Sequence, residues 1–227
     1  MKKDILKKMK SNMKIEDGKV LFQIGTNTGE DDFNKIVKAS NPLKVILVEP
    51  NSDLNEKIYK SYKNIDIILE NVAITEVSVN EVKLVIPKNG KSDDPNNRHS
   101  YGPSCFSLLP LDNWGDSFDY LISEGLSFND LCKKHNINDI HYLQIDTEGY
   151  DATIINSIDF ENINIDIIRY EYWDFPERMF SKHSDKSKCG INGMDRVNEL
   201  LTSLGYTIKI VRCSKTGERN AEAIKNK

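Results

Sequence analysis

The chain has 227 residues, with 31 Lys plus Arg against 35 Asp plus Glu and a formal net charge of −4. Apolar residues make up 38% and charged residues 29%, polar for a globular protein yet enough for a packed core at this length, so a disordered chain is excluded. The weak negative charge argues against a nucleic-acid binder, which needs a concentrated basic face, and no apolar run approaches the roughly 20 residues that insert across a membrane.

Residues 1–14 are basic and interrupted by Lys7, Lys8, Lys10 and Lys14, without the apolar stretch of a signal peptide. Residues 1–18 therefore read as a helical extension of a cytoplasmic protein. Residues 20–25 form the first expected strand, followed by a helix over 31–39 whose Phe33, Ile36 and Val37 share one face and which Pro42 stops. Residues 43–49 are almost all apolar, as in a strand buried on both faces. Asn51 or Ser52 can cap a helix to Tyr62, and residues 65–69 make a third strand. Val79, Val82, Leu84 and Ile86 predict a strand over 79–86 outside the simple alternation. Residues 88–115 are rich in Pro, Gly, Ser, Asp and Asn, and a loop of that length is a candidate acceptor-binding lid. A helix over 127–135, a strand over 140–146, a helix over 151–158 and a strand over 165–172 come next. A helix over 192–204 ends at Gly205, and residues 206–213 and 220–224 read as a closing antiparallel pair. The alternation predicts one α/β domain over residues 1–227, with a mostly parallel sheet between layers of helices. Cys105, Cys132, Cys189 and Cys213 lie too far apart for a zinc motif and read as reduced thiols.

In an open α/β sheet, ligands bind beyond the carboxyl ends of the strands, where strand order reverses. The first strand runs into Gln23-Ile24-Gly25-Thr26-Asn27-Thr28-Gly29, whose glycines let backbone approach a ligand. Asn27 stands where a dinucleotide fingerprint has its middle glycine, which favours a nucleoside ligand without a diphosphate. Glu49 ends the second strand at the distance along the chain where an acid meets a ribose. The strand over 140–146 leads into Ile145-Asp146-Thr147-Glu148-Gly149-Tyr150-Asp151. Asp151 suits the first turn of a helix as a dipole partner, whereas Asp146 and Glu148 sit where the sheet presents ligands. Glu171 ends the following strand, with Arg169 or Arg178 as possible ion-pair partners.

Residues 20–29, Val48-Glu49-Pro50, Asn71-Val72-Ala73, Ile145-Asp146-Thr147-Glu148-Gly149, Glu171 and the segment 201–206 together resemble the FkbM family of S-adenosylmethionine-dependent methyltransferases. The resemblance covers residues 20–224, and Ile-Asp-x-Glu-Gly is its most specific part. It implies a Rossmann-like class I methyltransferase fold with a seven-stranded sheet, S-adenosyl-L-methionine as cofactor, and O-methylation of sugars or other hydroxyl compounds. By that resemblance Gly25, Asn27 and Gly29 form the methionine-side loop, Glu49 holds the ribose, Val72 and Ala73, after Asn71, flank the adenine, and Asp146 faces the methyl site. Family members usually carry an acid where Gln23 stands; Gln23 keeps hydrogen bonding but supplies no charge to the cofactor ammonium.

A sugar hydroxyl must lose a proton as its oxygen is methylated, so a carboxylate or histidine must stand within reach. Asp146, Glu148 and Glu171 are the candidates, followed by His183. Tyr172, Trp173 and Phe175 could stack on a sugar ring. A pairing of Asp146 with Glu148 or Asp174 could hold Mg²⁺, but the expectation is that no metal takes part. The expected acceptor is a sugar, glycan or small hydroxylated metabolite, with no nucleic-acid partner. Two other readings compete. A nicotinamide-dependent oxidoreductase could use the same sheet, although Tyr59 and Lys63 lie too early in the chain to form a reductase dyad, and a non-catalytic binding module would be consistent with Gln23.

Overall fold

Seven strands hydrogen-bond into one twisted sheet in the computed structural model, which describes residues 15–88, 106–212 and 219–226. In chain order the elements begin with β1 (Val20–Ile24), α1 (Asp32–Ala39), β2 (Lys44–Val48), a 3₁₀ turn at Ser52–Leu54, α2 (Asn55–Ser61) and β3 (Ile68–Glu70). Next come β4 (Ala73–Thr75), β5 (Val79–Pro87), β6 (Phe118–Ser127) and α3 (Phe128–Lys134). The chain closes with β7 (Asp139–Ile145), α4 (Asp151–Ser157), β8 (Asn164–Glu171), α5 (Gly190–Ser203), β9 (Tyr206–Arg212) and β10 (Arg219–Lys225).

The large sheet has the order β3-β2-β1-β7-β8-β10-β9, in which β10 runs antiparallel to both neighbours and every other pairing is parallel. Order reverses between β1 and β7, where Ile24 lies beside Ile145. The expected sheet is present, including its antiparallel closing pair. Its strands are the runs rich in Val, Ile and Leu, and β1, β2 and β7 are buried nearly throughout.

Helices cover both faces. Phe33 and Val37 of α1 and Ile58 of α2 pack with Leu21, Val45 and Leu47 on one side. Phe128 and Leu131 of α3, Ile154 and Ile155 of α4, and Met194, Val197 and Leu201 of α5 pack with Phe22, Ile46 and Ile168 on the other. Asp31 starts α1 by accepting the backbone N–H of Asn34 at 3.0 Å, and Ser127 starts α3 by accepting that of Asp130 at 3.1 Å.

A second sheet, β4-β6-β5, stands outside the alternation. The strand expected over 79–86 is β5, but its long partner β6 has no counterpart among the expected elements. Tyr120 and Ile122 of β6 are each 53% exposed, so its apolar residues do not mark one buried face and the usual alternation is lost. The expected third strand is shorter and starts later, at Ile68. The expected helix over 192–204 begins at Gly190 instead.

The expected loop over 88–115 is only in part a loop. Residues 89–105 of the lid candidate, like residues 1–14 of the N-terminal extension, lie outside the described residues. Residues 106–115 are fastened down: Ser107 exchanges two backbone hydrogen bonds with Val85, at 2.8 and 2.9 Å, and Leu109, Leu111 and Trp114 join the core. Asp112 accepts from the backbone and hydroxyl of Ser181, which ties this segment to the loop after β8.

Candidate functional site

The carboxyl ends of β1, β2 and β7 open into a groove. Gly25, Asn27, Glu49, Pro50, Asp146, Thr147 and Glu148 line its polar side. Val72, Ala73, Ile74, Leu84, Phe106 and Leu108 supply an apolar wall, and Tyr150 completes the rim. That mixture of polar groups on one side and an apolar wall on the other suits a nucleoside.

Gly25 makes the junction possible. Its φ is +80°, and a Cβ built there would lie 1.7 Å from the carbonyl oxygen of Asp146. Only glycine can turn the chain there while β1 and β7 stay adjacent. The Asp146 N–H donates to the Ile24 carbonyl at 3.0 Å, closing the junction from the other strand.

Glu49 is 5% exposed and holds the opposite wall. Its Oε2 accepts the Asn27 N–H at 2.7 Å and its Oε1 the Asn51 N–H at 2.9 Å. Burial pushes its carboxyl up to about 7, against the pull of those two donors. An ionised carboxylate has about four lone-pair sites, so both oxygens keep capacity for a ligand's hydroxyl groups. Asn71 supports the wall from behind, donating to the Glu49 carbonyl at 2.8 Å and exchanging hydrogen bonds with Asn55.

The remaining expected cofactor residues divide. Gly25, Asn27, Glu49, Val72, Ala73 and Asp146 are brought together on the groove; Gln23, Gly29 and Asn71 are not among its lining. Gln23 is 0% exposed beneath the glycine turn, where its amide donates to Asp31. A Cβ at Gly29 would lie 2.8 Å from the Tyr62 ring, so this glycine permits close packing on the end of α2.

Four carboxylates gather at the ends of β7 and β8. Asp146 is exposed to the groove and Glu148 is half-buried on it. Glu148 has φ +55° and Gly149 φ +104°, two consecutive left-handed residues that turn the chain sharply into α4. The Ser107 hydroxyl donates to the Glu148 carbonyl at 2.9 Å and holds that turn. Glu171 accepts the Trp173 indole N–H at 2.6 Å. Burial, and then the like charges of Asp146, Asp151 and Glu148, push its carboxyl far above the ordinary range. Neither arginine suggested as its partner is paired with it: Arg169 lies 3.6 Å from Asp32.

Asp151 stands in the first turn of α4, as expected, with Tyr150 in the cap position, but it is 0% exposed. Sequence gives no sign of this, because an acid in a first helical turn ordinarily faces solvent.

His183 does not line the groove. Its Nδ1 accepts the Asp185 N–H at 2.9 Å, which leaves the proton of the neutral ring on Nε2, and burial holds its pKa below the usual histidine value. Trp173 stacks edge-on with Phe175 and Phe180, and Asp174 pairs with Arg219 at 2.6 Å rather than with Asp146. Among the described residues no group of His, Cys, Asp and Glu is arranged as a metal site, and no helix is long and apolar enough to cross a membrane.

Comparison with known proteins places this geometry. No curated protein matches the sequence. A solved FkbM methyltransferase from Methylobacillus flagellatus KT has a similar fold, with a TM-score of 0.54 at 10% identity over 95% of this chain and 45% of that one. The chain thus spans less than half the length of that relative. The O-methyltransferase TomG from Streptomyces achromogenes, involved in tomaymycin synthesis and solved in complex with SAM, gives a TM-score of 0.50 at 8% identity over 92% of this chain and 74% of its own. These likenesses establish a shared methyltransferase fold. The family itself is fixed by sequence: the model of the methyltransferase FkbM domain matches residues 23–208, most of the chain, which belongs to that family.

Proposed function

We propose that the protein is an S-adenosylmethionine-dependent O-methyltransferase acting on a hydroxyl of a sugar, glycan or related small metabolite. The observation that carries the reading is the placement of Glu49 and Asp146 on opposite walls of one groove at the β1/β7 switch point. Glu49 suits a ribose diol, the apolar wall at Val72, Ala73 and Leu84 suits a purine, and the acids after β7 suit a sulfonium cation.

The start of α1 argues against a dinucleotide. A pyrophosphate would sit on that helix N-terminus, but Asp31 already caps it, with Glu30 and Asp32 on either side. Three adjacent carboxylates repel a diphosphate, which disfavours a nicotinamide-dependent oxidoreductase. S-adenosylmethionine has no phosphate and meets no such penalty.

The bound cofactor would supply an electrophilic methyl group on a positively charged sulfur. The protein's tasks are to align that group with the acceptor, exclude water and remove one proton. Asp146, exposed on the groove, would take the hydroxyl proton as the acceptor oxygen is methylated. Glu148 flanks Asp146. Glu171, with its carboxyl pushed up, is suited to hold a proton rather than receive one. The acceptor would lie between the loop after β8, at 172–190, and the candidate lid at 88–115, two segments joined by the Asp112–Ser181 hydrogen bonds. Three carboxylates and no basic side chain stand among the described groove residues, which favours a neutral acceptor over an anionic one.

Labelled methyl transfer to a panel of free sugars, glycans, hydroxylated metabolites, RNA and protein tests the substrate class. Label in carbohydrate or a small hydroxyl compound supports it. Label confined to RNA or protein refutes the acceptor assignment.

A further inference from the structure

The Asp151 carboxylate is fully buried at the start of α4 and binds two strand ends at once. Its Oδ1 accepts the backbone N–H of Thr147 at 2.9 Å and the Thr147 hydroxyl at 2.5 Å; its Oδ2 accepts the backbone N–H of Glu171 at 2.9 Å. Thr147 directly follows Asp146, so one side chain spans from the residue beside the candidate base to the candidate acid that ends β8. A helix cap would use none of these partners.

We propose that Asp151 is a positioning residue for methyl transfer: its carboxylate fixes the strand ends bearing Asp146 and Glu171 and sets which of those two takes the acceptor's proton. The inference rests on the methyltransferase reading only for the step it serves; the geometry stands without it. The Thr147 N–H, the Thr147 hydroxyl and the Glu171 N–H converge on Asp151 and favour its ionised form, but burial outweighs them and raises its carboxyl above the ordinary range. Glu171 receives one donor, Trp173 Nε1 on Oε2, which leaves Oε1 able to carry a proton. Glu171 is faced by Asp146 and Glu148 from the turn after β7, by Asp151 from α4, by the Trp173 indole from its own C-terminal side and by neutral Asn220 across β10. Burial first, and the neighbouring Asp146, Asp151 and Glu148 carboxyls after it, favour the protonated form of Glu171, which leaves Asp146 as the acceptor of the hydroxyl proton. Gly149 completes the unit, because its φ of +104° is a backbone conformation that residues with side chains rarely adopt.

The test needs neither acceptor nor cofactor. In protein labelled with ¹⁵N-tryptophan, the Trp173 indole resonance, assigned through Trp173→Phe, reports protonation of Glu171. Its midpoint in the full chain is expected above pH 7. In Asp151→Asn, which keeps the shape but removes the charge, it is expected to fall by about one pH unit or more. Glu171→Gln carries the test without altering Asp151: its melting temperature should exceed that of the wild type by a margin that widens from pH 6 to pH 8, because it removes a group that must bind a proton to fold. Coincident midpoints in wild type and Asp151→Asn would overturn the inference, as would a Glu171→Gln margin that is constant or shrinks with pH. Failure of methyl transfer in the wild type would instead count against the proposed function and leave these titrations standing.

Discussion

Oε2 of Glu49 lies 2.7 Å from the backbone nitrogen of Asn27, so the residue that directly follows β2 holds the turn that follows β1. The same carboxylate that would bind a ribose therefore also shapes the turn that would meet the rest of the cofactor. Glu49→Ala should weaken S-adenosylhomocysteine by about 1 to 3 kcal/mol, the range for a buried hydrogen-bonding group left without its partner. Calorimetric titration of both proteins at pH 8 measures the difference.

The pH dependence of binding follows from the same group. A diol hydrogen-bonded to Glu49 favours its ionised form, so the ligand lowers a carboxyl that stands near 7 in the free protein. Affinity should fall as pH drops below about 7, and binding at pH 6.5 should release protons. Calorimetry in buffers of different ionisation enthalpy detects that release. Proton uptake, or none, would assign the ribose contact elsewhere.

Stability carries the opposite trend. Glu49 has a folded value near 7 and an unfolded value near 4.5, so the folded state binds the extra proton between them. The ligand-free protein should therefore lose stability as pH rises from about 4.5 to 7, by about 3 kcal/mol from this residue alone. Glu49→Gln should flatten that part of the profile in denaturant melts.

Gly25→Ala should be severe. The added methyl meets the Asp146 carbonyl and the backbone is left-handed, so steric strain and an unfavourable φ combine to cost about 2 to 5 kcal/mol. Thermal unfolding reads the loss directly. A fully stable Gly25→Ala would show that β1 and β7 can separate at their ends without cost.

Asp146→Asn should keep the fold while lowering methyl transfer by ~10² to 10⁴-fold, since an amide retains shape but not basicity. Unchanged turnover would move the proton acceptor to Glu148, the other acid on the groove beside it. A lower melting temperature as the sole effect would make Asp146 a structural residue.

Much of this was legible in the sequence because strand ends announce themselves. Glu49 after four apolar residues and before Pro50, and Asp146 after a buried run, could be placed at the sheet's carboxyl edge from pattern alone. The side-chain connections could not. Gln23 alternates with its neighbours along β1, and its position beside Asp31 beneath the turn depends on α1 folding back over the sheet. Asp151 reads as an ordinary first-turn acid until Thr147 and Glu171 are brought to it from two other segments. His183 looked available as a base, but a local turn places the Asp185 N–H on its Nδ1. β6 escaped notice because Tyr120 and Ile122 face outward, which removes the signal by which a strand is ordinarily recognised.

The groove at the β1/β7 switch point is expected to hold S-adenosylmethionine. The most direct measurement is a calorimetric titration of the full chain with S-adenosylhomocysteine and, in parallel, with NAD. Saturable one-site binding of S-adenosylhomocysteine is expected, weakened at least about fivefold in Glu49→Ala, with no binding of NAD. Binding of NAD with none of S-adenosylhomocysteine would contradict it.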